Sequence, residues 1–153
     1  MDDGELGYPA HWQADVVLRD GGTARLRPIQ PGDADPLRRF HARLSDETIY
    51  NRFFSLYRSL SDRDIERFTV VDHHDRVALV ATVGGELIGV VRYERTGPDE
   101  AEVAFNIEDA HQGRGLGSVF LEHIAAAARE RGEPGHAVWG KGDRRKPPWW
   151  GAR

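Results

Sequence analysis

The sequence predicts an α+β domain, and three observations carry that prediction. Two glycine pairs, Gly21-Gly22 and Gly84-Gly85, each separate short runs rich in aliphatic and β-branched residues, which is the arrangement of a hairpin whose tight turn needs positive φ. A third extended run follows the second hairpin with no helix between, so these strands lie in meander order. Elsewhere, apolar residues recur every three or four positions, the period of an amphipathic helix. At 153 residues the chain suits one domain with a core of its own.

In order along the chain, residues 16–19 and 23–29 read as strands around Asp20-Gly21-Gly22. From Asp33 the period changes, and Leu37, Phe40 and Leu44 recur beneath arginines, predicting a helix that ends near Ser45. Residues 46–54 and 61–70 are further helical candidates; the second opens on Ser61 as N-cap with Asp64 three residues on, a capping box with the shorter carboxylate. Residues 77–83 and 87–93 flank Gly84-Gly85 and are apolar enough for central, well-buried strands. In residues 101–107, Ala101, Val103, Phe105 and Ile107 share one face and Glu102, Ala104 and Asn106 the other. After a glycine-rich loop, Leu116, Phe120, Ile124 and Ala127 repeat at helical spacing, and Arg129, Arg131 and Gly132 close a helix predicted over 114–131. Residues 136–139 suit one more short strand.

Composition narrows the function classes. A net charge of −4 provides no general basic surface for nucleic acid, and the absence of cysteine removes disulfides and thiolate metal sites. No apolar run approaches 20 residues and no leader-like segment opens the chain, so a cytoplasmic protein with no membrane association is expected. Of the 21 basic residues 19 are arginine; the two lysines, Lys141 and Lys146, fall in the closing "GKGDRRKPPWWGAR", where five basic residues stand against one acidic. That break predicts a domain over 15–139, an N-terminal extension over 1–14, and a disordered basic tail over 140–153 such as a shifted reading frame would produce. Five basic residues are too few to argue a nucleic-acid footprint.

The chemistry concentrates in "HQGRGLGS", His111 to Ser118. A helix start has backbone N–H groups without intrahelical partners and the positive end of the dipole, and glycines let an anion come close. From the residues alone two readings stand: a tight strand-to-helix turn, or a site for a phosphate or pyrophosphate. A P-loop needs lysine after its last glycine, and Gly117 is followed by Ser118. A dinucleotide fingerprint needs a third glycine or alanine where Ser118 stands, an acidic strand end where Glu133 lies in a loop, and a first βαβ unit rather than a meander.

"AEVAFNIEDAHQGRGLGSVFLEHIAAAARERG" resembles the acyl-CoA-binding core of the GNAT (Gcn5-related) N-acetyltransferase superfamily, with Gln112-Gly113-Arg114-Gly115-Leu116-Gly117 matching its Gln/Arg-x-x-Gly-x-Gly/Ala signature. The element order agrees with the family's strand, two helices, three antiparallel strands, signature and helix, over about residues 15–139. "LRDGGTARLRPIQPGDADPLRRFHARLS" and "VDHHDRVALVATVGGELIGVVRYER" are similar to its protein-lysine acetyltransferase branch, whose members often carry a fused acyl-CoA-ligase-like or cyclic-nucleotide-binding region. The resemblance implies a three-layer fold with a mixed, mainly antiparallel sheet flanked by helices, here truncated after the family's fourth or fifth strand. The family's later segment supplies the far wall of the cleft and often a Tyr that protonates the leaving thiolate; no Tyr follows Tyr93. A chain ending there is expected to leave a sheet edge uncovered, open to association with another chain.

The same resemblance implies acetyl-CoA as co-substrate, no metal, and a protein lysine or small amine as acceptor. The amides of Gln112, Gly113, Arg114, Gly115, Leu116 and Gly117 would hold the pyrophosphate, Arg114 and Ser118 would add side-chain contacts, and the backbone of Phe105 and Ile107 would line the pantetheine arm. Glu102, by pattern a solvated residue, takes the place of the family's general base in "AEVAF". The alternative is a non-catalytic acyl-CoA-binding or interaction module, or an inactive fragment.

Other polar residues read more plainly. His73-His74 is a surface turn rather than a metal site, because neighbours on an extended stretch point opposite ways and no third ligand is indicated. His111 is a loop surface residue and His123 lies on the polar side of its helix. Arg38, Arg39, Arg43 and Arg52 form a solvated helical face, which in the family borders the acceptor site.

Overall fold

A computed structural model describes residues 7–44, 60–97 and 100–132 together with the backbone of 137–139. The candidate helix over 46–54, Arg52 and the basic tail lie outside the described residues.

A single sheet runs in chain order through β1 (Ala14–Val17), β2 (Thr23–Pro28), β3 (Arg76–Val83), β4 (Glu86–Gly97), β5 (Glu100–Ile107) and β6 (Ala137–Trp139). Neighbours are antiparallel throughout, except that β6 lies parallel to β5 in the register Ala101↔Ala137 to Val103↔Trp139. The helices are α1 (Ala34–Ala42), α2 (Asp62–Thr69) and α3 (Leu116–Glu130). With β2 taken as the family's first strand, β6 is the fifth, and the layers are those expected.

The first hairpin shows why the predicted strand over 16–19 is displaced to Ala14–Val17. The Asp20 carboxylate accepts the Gly22 amide at 3.0 Å, Leu18 N donates to Gly22 O at 2.6 Å, and Gly21 adopts φ +91°, so the turn takes residues 18–22. The second hairpin turns at Gly84 and Gly85, both with positive φ, as expected.

Local signals also place the helices. Ser61 Oγ accepts the Asp64 amide and the Asp64 carboxylate accepts the Ser61 amide, each at 3.1 Å, so the shorter side chain completes the capping box. Before α1, the buried Asp33 carboxylate takes a bidentate pair from Arg27 at 2.7 and 2.8 Å and the Gln30 amide at 2.9 Å. Two apolar layers sandwich the sheet. Val77, Leu79, Val91, Val103, Leu116, Phe120 and Ile124 form one beneath α3. Leu37, Phe40, Ile65, Phe68, Ala78, Val80 and Val90 form the other beneath α1 and α2. Both faces of β3 are therefore covered, as its unbroken apolar run predicts.

The described part of the N-terminal extension packs on the domain. Glu130 at the end of α3 accepts Trp12 Nε1 at 2.9 Å and pairs with His11 Nε2 at 2.6 Å; Arg131 stacks 4.7 Å over the Trp12 ring. Tyr8 donates to Pro28 O at 2.7 Å and meets the His73 ring edge-on. His73 is consequently buried, a correction to its reading as a surface residue. Burial pushes its imidazole below the usual range, with Asp72 opposing. The turn itself is as expected: Asp72 Oδ1 accepts the amides of His74, Asp75 and Arg76 at 2.9 to 3.0 Å.

Candidate functional site

The site begins where β5 ends. Glu108 N donates to Ile88 O at 2.9 Å, extending the ladder in which Asn106 pairs with Val90 and Ala104 with Arg92. Antiparallel alternation then turns the peptide groups of even-numbered β5 residues toward β4 and those of Phe105 and Ile107 away from it. The described pairing with β6 stops at Val103. Phe105 and Ile107 thus turn their peptide groups to the side away from β4.

Gln112 Nε2 reaches back to Ile107 O at 3.0 Å, so this side chain closes the loop instead of projecting from it. Gly113 (φ +81°) and Gly115 (φ +88°) take the left-handed conformation that other residues adopt at a cost. Gly115 is the N-cap of α3 and provides no side chain to cap it. The amides of Leu116, Gly117 and Ser118 are thereby the unpaired donors of a 15-residue helix. Leu116 anchors the first turn in the core, Ser118 is exposed, and a Cβ on Gly117 would lie 3.4 Å from the Phe105 ring, which is why α3 can approach β5 so closely.

Arg114 is placed differently from the sequence reading. Its Nε and Nη2 donate to Asp20 at 2.7 and 3.1 Å, and Nη1 lies 2.8 Å from His111 Nδ1, so the guanidinium braces the loop against the first hairpin. Gly22 permits this, because a Cβ there would fall 2.4 Å from Arg114 Nη2. The Arg114 hydrogen bond, with help from the Gly22 amide, holds the Asp20 carboxyl below its usual range. Arg19 N donates to Arg114 O at 2.8 Å, fastening the same two segments through backbone.

Glu102 stands near the other end of β5, on the face covered by α1 and α2. It is half-buried, lies directly opposite Glu94 and makes no ion pair among the described residues. Glu94, by contrast, accepts Arg67 Nη2 at 2.6 Å and Arg76 Nε at 3.1 Å. Next in the row, Arg92 is buried over the Phe68 ring and donates to Phe68 O at 3.3 Å; burial brings its guanidinium down to about 9. Glu102 is therefore a half-buried carboxylate with no ion-pair partner among the described residues, facing the ion-paired Glu94.

The helical arginines are not simply solvated. Arg38 donates to Leu60 O at 2.7 Å and pairs with Asp62, while Arg43 reaches Glu86 at 2.9 Å, Leu87 O at 2.7 Å and Glu108 at 3.2 Å. They tie α1 to α2, to the second hairpin and to the start of the glycine loop. Sequence reasoning missed Arg19, Asp20 and Glu94, since a hairpin turn and a strand end give no sign of what lies across from them.

The mixed sheet, with a capless, glycine-bearing helix start at the end of its fifth strand, is the arrangement the resemblance to the GNAT superfamily implies. Residues 38–141 match the model of the Acetyltransferase (GNAT) family, and the chain belongs to that family. Among solved structures, the GNAT domain of S. lividans PAT is 59% identical, with 83% of this chain and 77% of that one covered and a TM-score of 0.79. Acetyltransferase Pat of Mycolicibacterium smegmatis is 36% identical over 117 residues, 74% of this chain and 35% of Pat. An acetyltransferase of Pseudomonas aeruginosa is 32% identical over 127 residues, 80% of this chain and 67% of its own length. The chain spans about a third of the length of Pat.

Proposed function

We propose that this domain is an acetyl-CoA-dependent N-acetyltransferase whose acceptor is a protein lysine. The observation that carries the reading is the geometry of β5: capless amides at Leu116, Gly117 and Ser118 beyond one end, backbone of Phe105 and Ile107 turned away from β4, and the Glu102 carboxylate, without an ion pair among the described residues, toward the other. Glu102 and Ile107 are five residues apart, roughly 17 Å along an extended strand, a span comparable to an extended pantetheine arm. The amides would hold the pyrophosphate and the strand edge would direct the thioester toward Glu102.

In the transfer, the acceptor ammonium gives a proton to Glu102, the neutral nitrogen attacks the thioester carbonyl, the C–S bond breaks as the thiolate leaves, and the surplus proton on the new amide nitrogen passes to that thiolate. Similarity to the protein-lysine branch and to S. lividans PAT supports a lysine acceptor.

Calorimetric titration with acetyl-CoA and radiolabelled acetyl transfer onto a lysine peptide test the reading together. Glu102→Gln is expected to bind acetyl-CoA like the parent chain and to lower transfer about 10²- to 10⁴-fold. Unchanged transfer would remove Glu102 from the mechanism. Binding without transfer by the parent chain would favour a non-catalytic acyl-CoA-binding module.

A further inference from the structure

We infer that Arg19, in the turn of the first hairpin, is the cation that meets the phosphates of the acyl-CoA, and that Arg114 is a positioning residue. The inference deepens the proposed acetyl-CoA reading and rests on it. Two guanidiniums border the glycine loop, and their commitments differ. Arg114 directs three of its five N–H groups to the Asp20 carboxylate and His111 Nδ1, with its side chain at 22% exposure. Its charge is neutralised where it sits.

Arg19 has no such partner. It is exposed, forms no ion pair among the described residues, and makes one long contact, Nη1 to Gly113 O at 3.4 Å. Its position is nonetheless fixed. The backbone amide is bonded to Arg114 O at 2.8 Å, and Cβ, Nε and Nη2 lie 3.7 to 3.8 Å from where a Cβ on Gly115 would be. The guanidinium therefore lies over Gly115, the N-cap of α3. A phosphate drawn to the amides of Leu116, Gly117 and Ser118 enters the reach of Arg19, and a bidentate guanidinium is well suited to receive it. Asp20 serves the same end indirectly, by occupying Arg114 and setting the distance between hairpin and loop.

The test compares Arg19→Ala, Arg19→Lys and Arg114→Ala by calorimetry with acetyl-CoA and by steady-state transfer with acetyl-CoA or S-acetylpantetheine, which lacks the phosphates. The expected result for Arg19→Ala is about a tenfold rise in Kd and KM for acetyl-CoA, with kcat, melting temperature and KM for S-acetylpantetheine unchanged. Arg19→Lys recovers part of the affinity. Arg114→Ala is expected to lower the melting temperature as well, because it releases the hairpin. Parent-like affinity in Arg19→Ala, or an equal loss with S-acetylpantetheine, overturns the assignment. Failure of the parent chain to bind acetyl-CoA overturns the underlying reading, and is seen before any variant is compared.

Discussion

The two faces of the sheet are built on different terms. Beneath α3 the buried layer is apolar from Leu18 to Ala127, with Phe120 fully enclosed and Gly89 leaving room for its ring. Beneath α1 and α2 the layer also admits Arg92 and Asn106, with Glu94 and Glu102 continuing the same rows of β4 and β5. One face is wholly apolar in its buried layer and the other admits buried polar groups. Polar groups in a core cost stability unless they are satisfied, so their concentration on one side marks where the fold tolerates that cost.

The largest expected effect tests the apolar face. Phe120→Ala should lower unfolding free energy by about 3–5 kcal/mol in denaturant titrations; a loss below about 1 kcal/mol would mean that α3 is not the main support. On the other face the sign reverses. Asn106 is 1% exposed and its Oδ1 has no hydrogen-bond partner among the described residues. Asn106→Val should therefore raise stability by about 1–2 kcal/mol, and a measured decrease would show that the amide is satisfied in solution. The smallest effect lies at the rim of the second face, where Ser61→Ala should cost about 1 kcal/mol through the lost cap. A Ser61→Asp variant, which can still accept the Asp64 amide, should lose less.

The same contrast governs what could be read from sequence. The α3 face was legible because its residues alternate cleanly on strands and repeat every three or four on the helix, and the Gly84-Gly85 hairpin and Ser61-Asp64 box are local signals. The glycine signature located the helix start for the same reason. The other face was harder: Arg38 and Arg43 look solvated in a helical pattern, and only the fold brings Leu60, Glu86, Leu87 and Glu108 to them. The Asp20–Arg114 brace joins residues 94 apart, beyond the reach of any periodicity. His73 was read as exposed because nothing local to it announces Tyr8.

The contacts flanking β1 have a mechanical consequence. His11 and Trp12, before the strand, fasten to Glu130 at one end of α3, and Arg19 and Asp20, after it, fasten to Arg114 at the other. A helix of 15 residues is about 22 Å long, and the eight steps from Trp12 to Asp20 span at most roughly 25 Å when extended. The edge strand thus acts as a gauge rod for the helix. Removing two residues from β1 would keep each side chain on its own face, yet it would shorten the rod by about 7 Å and let only one end of α3 remain fastened.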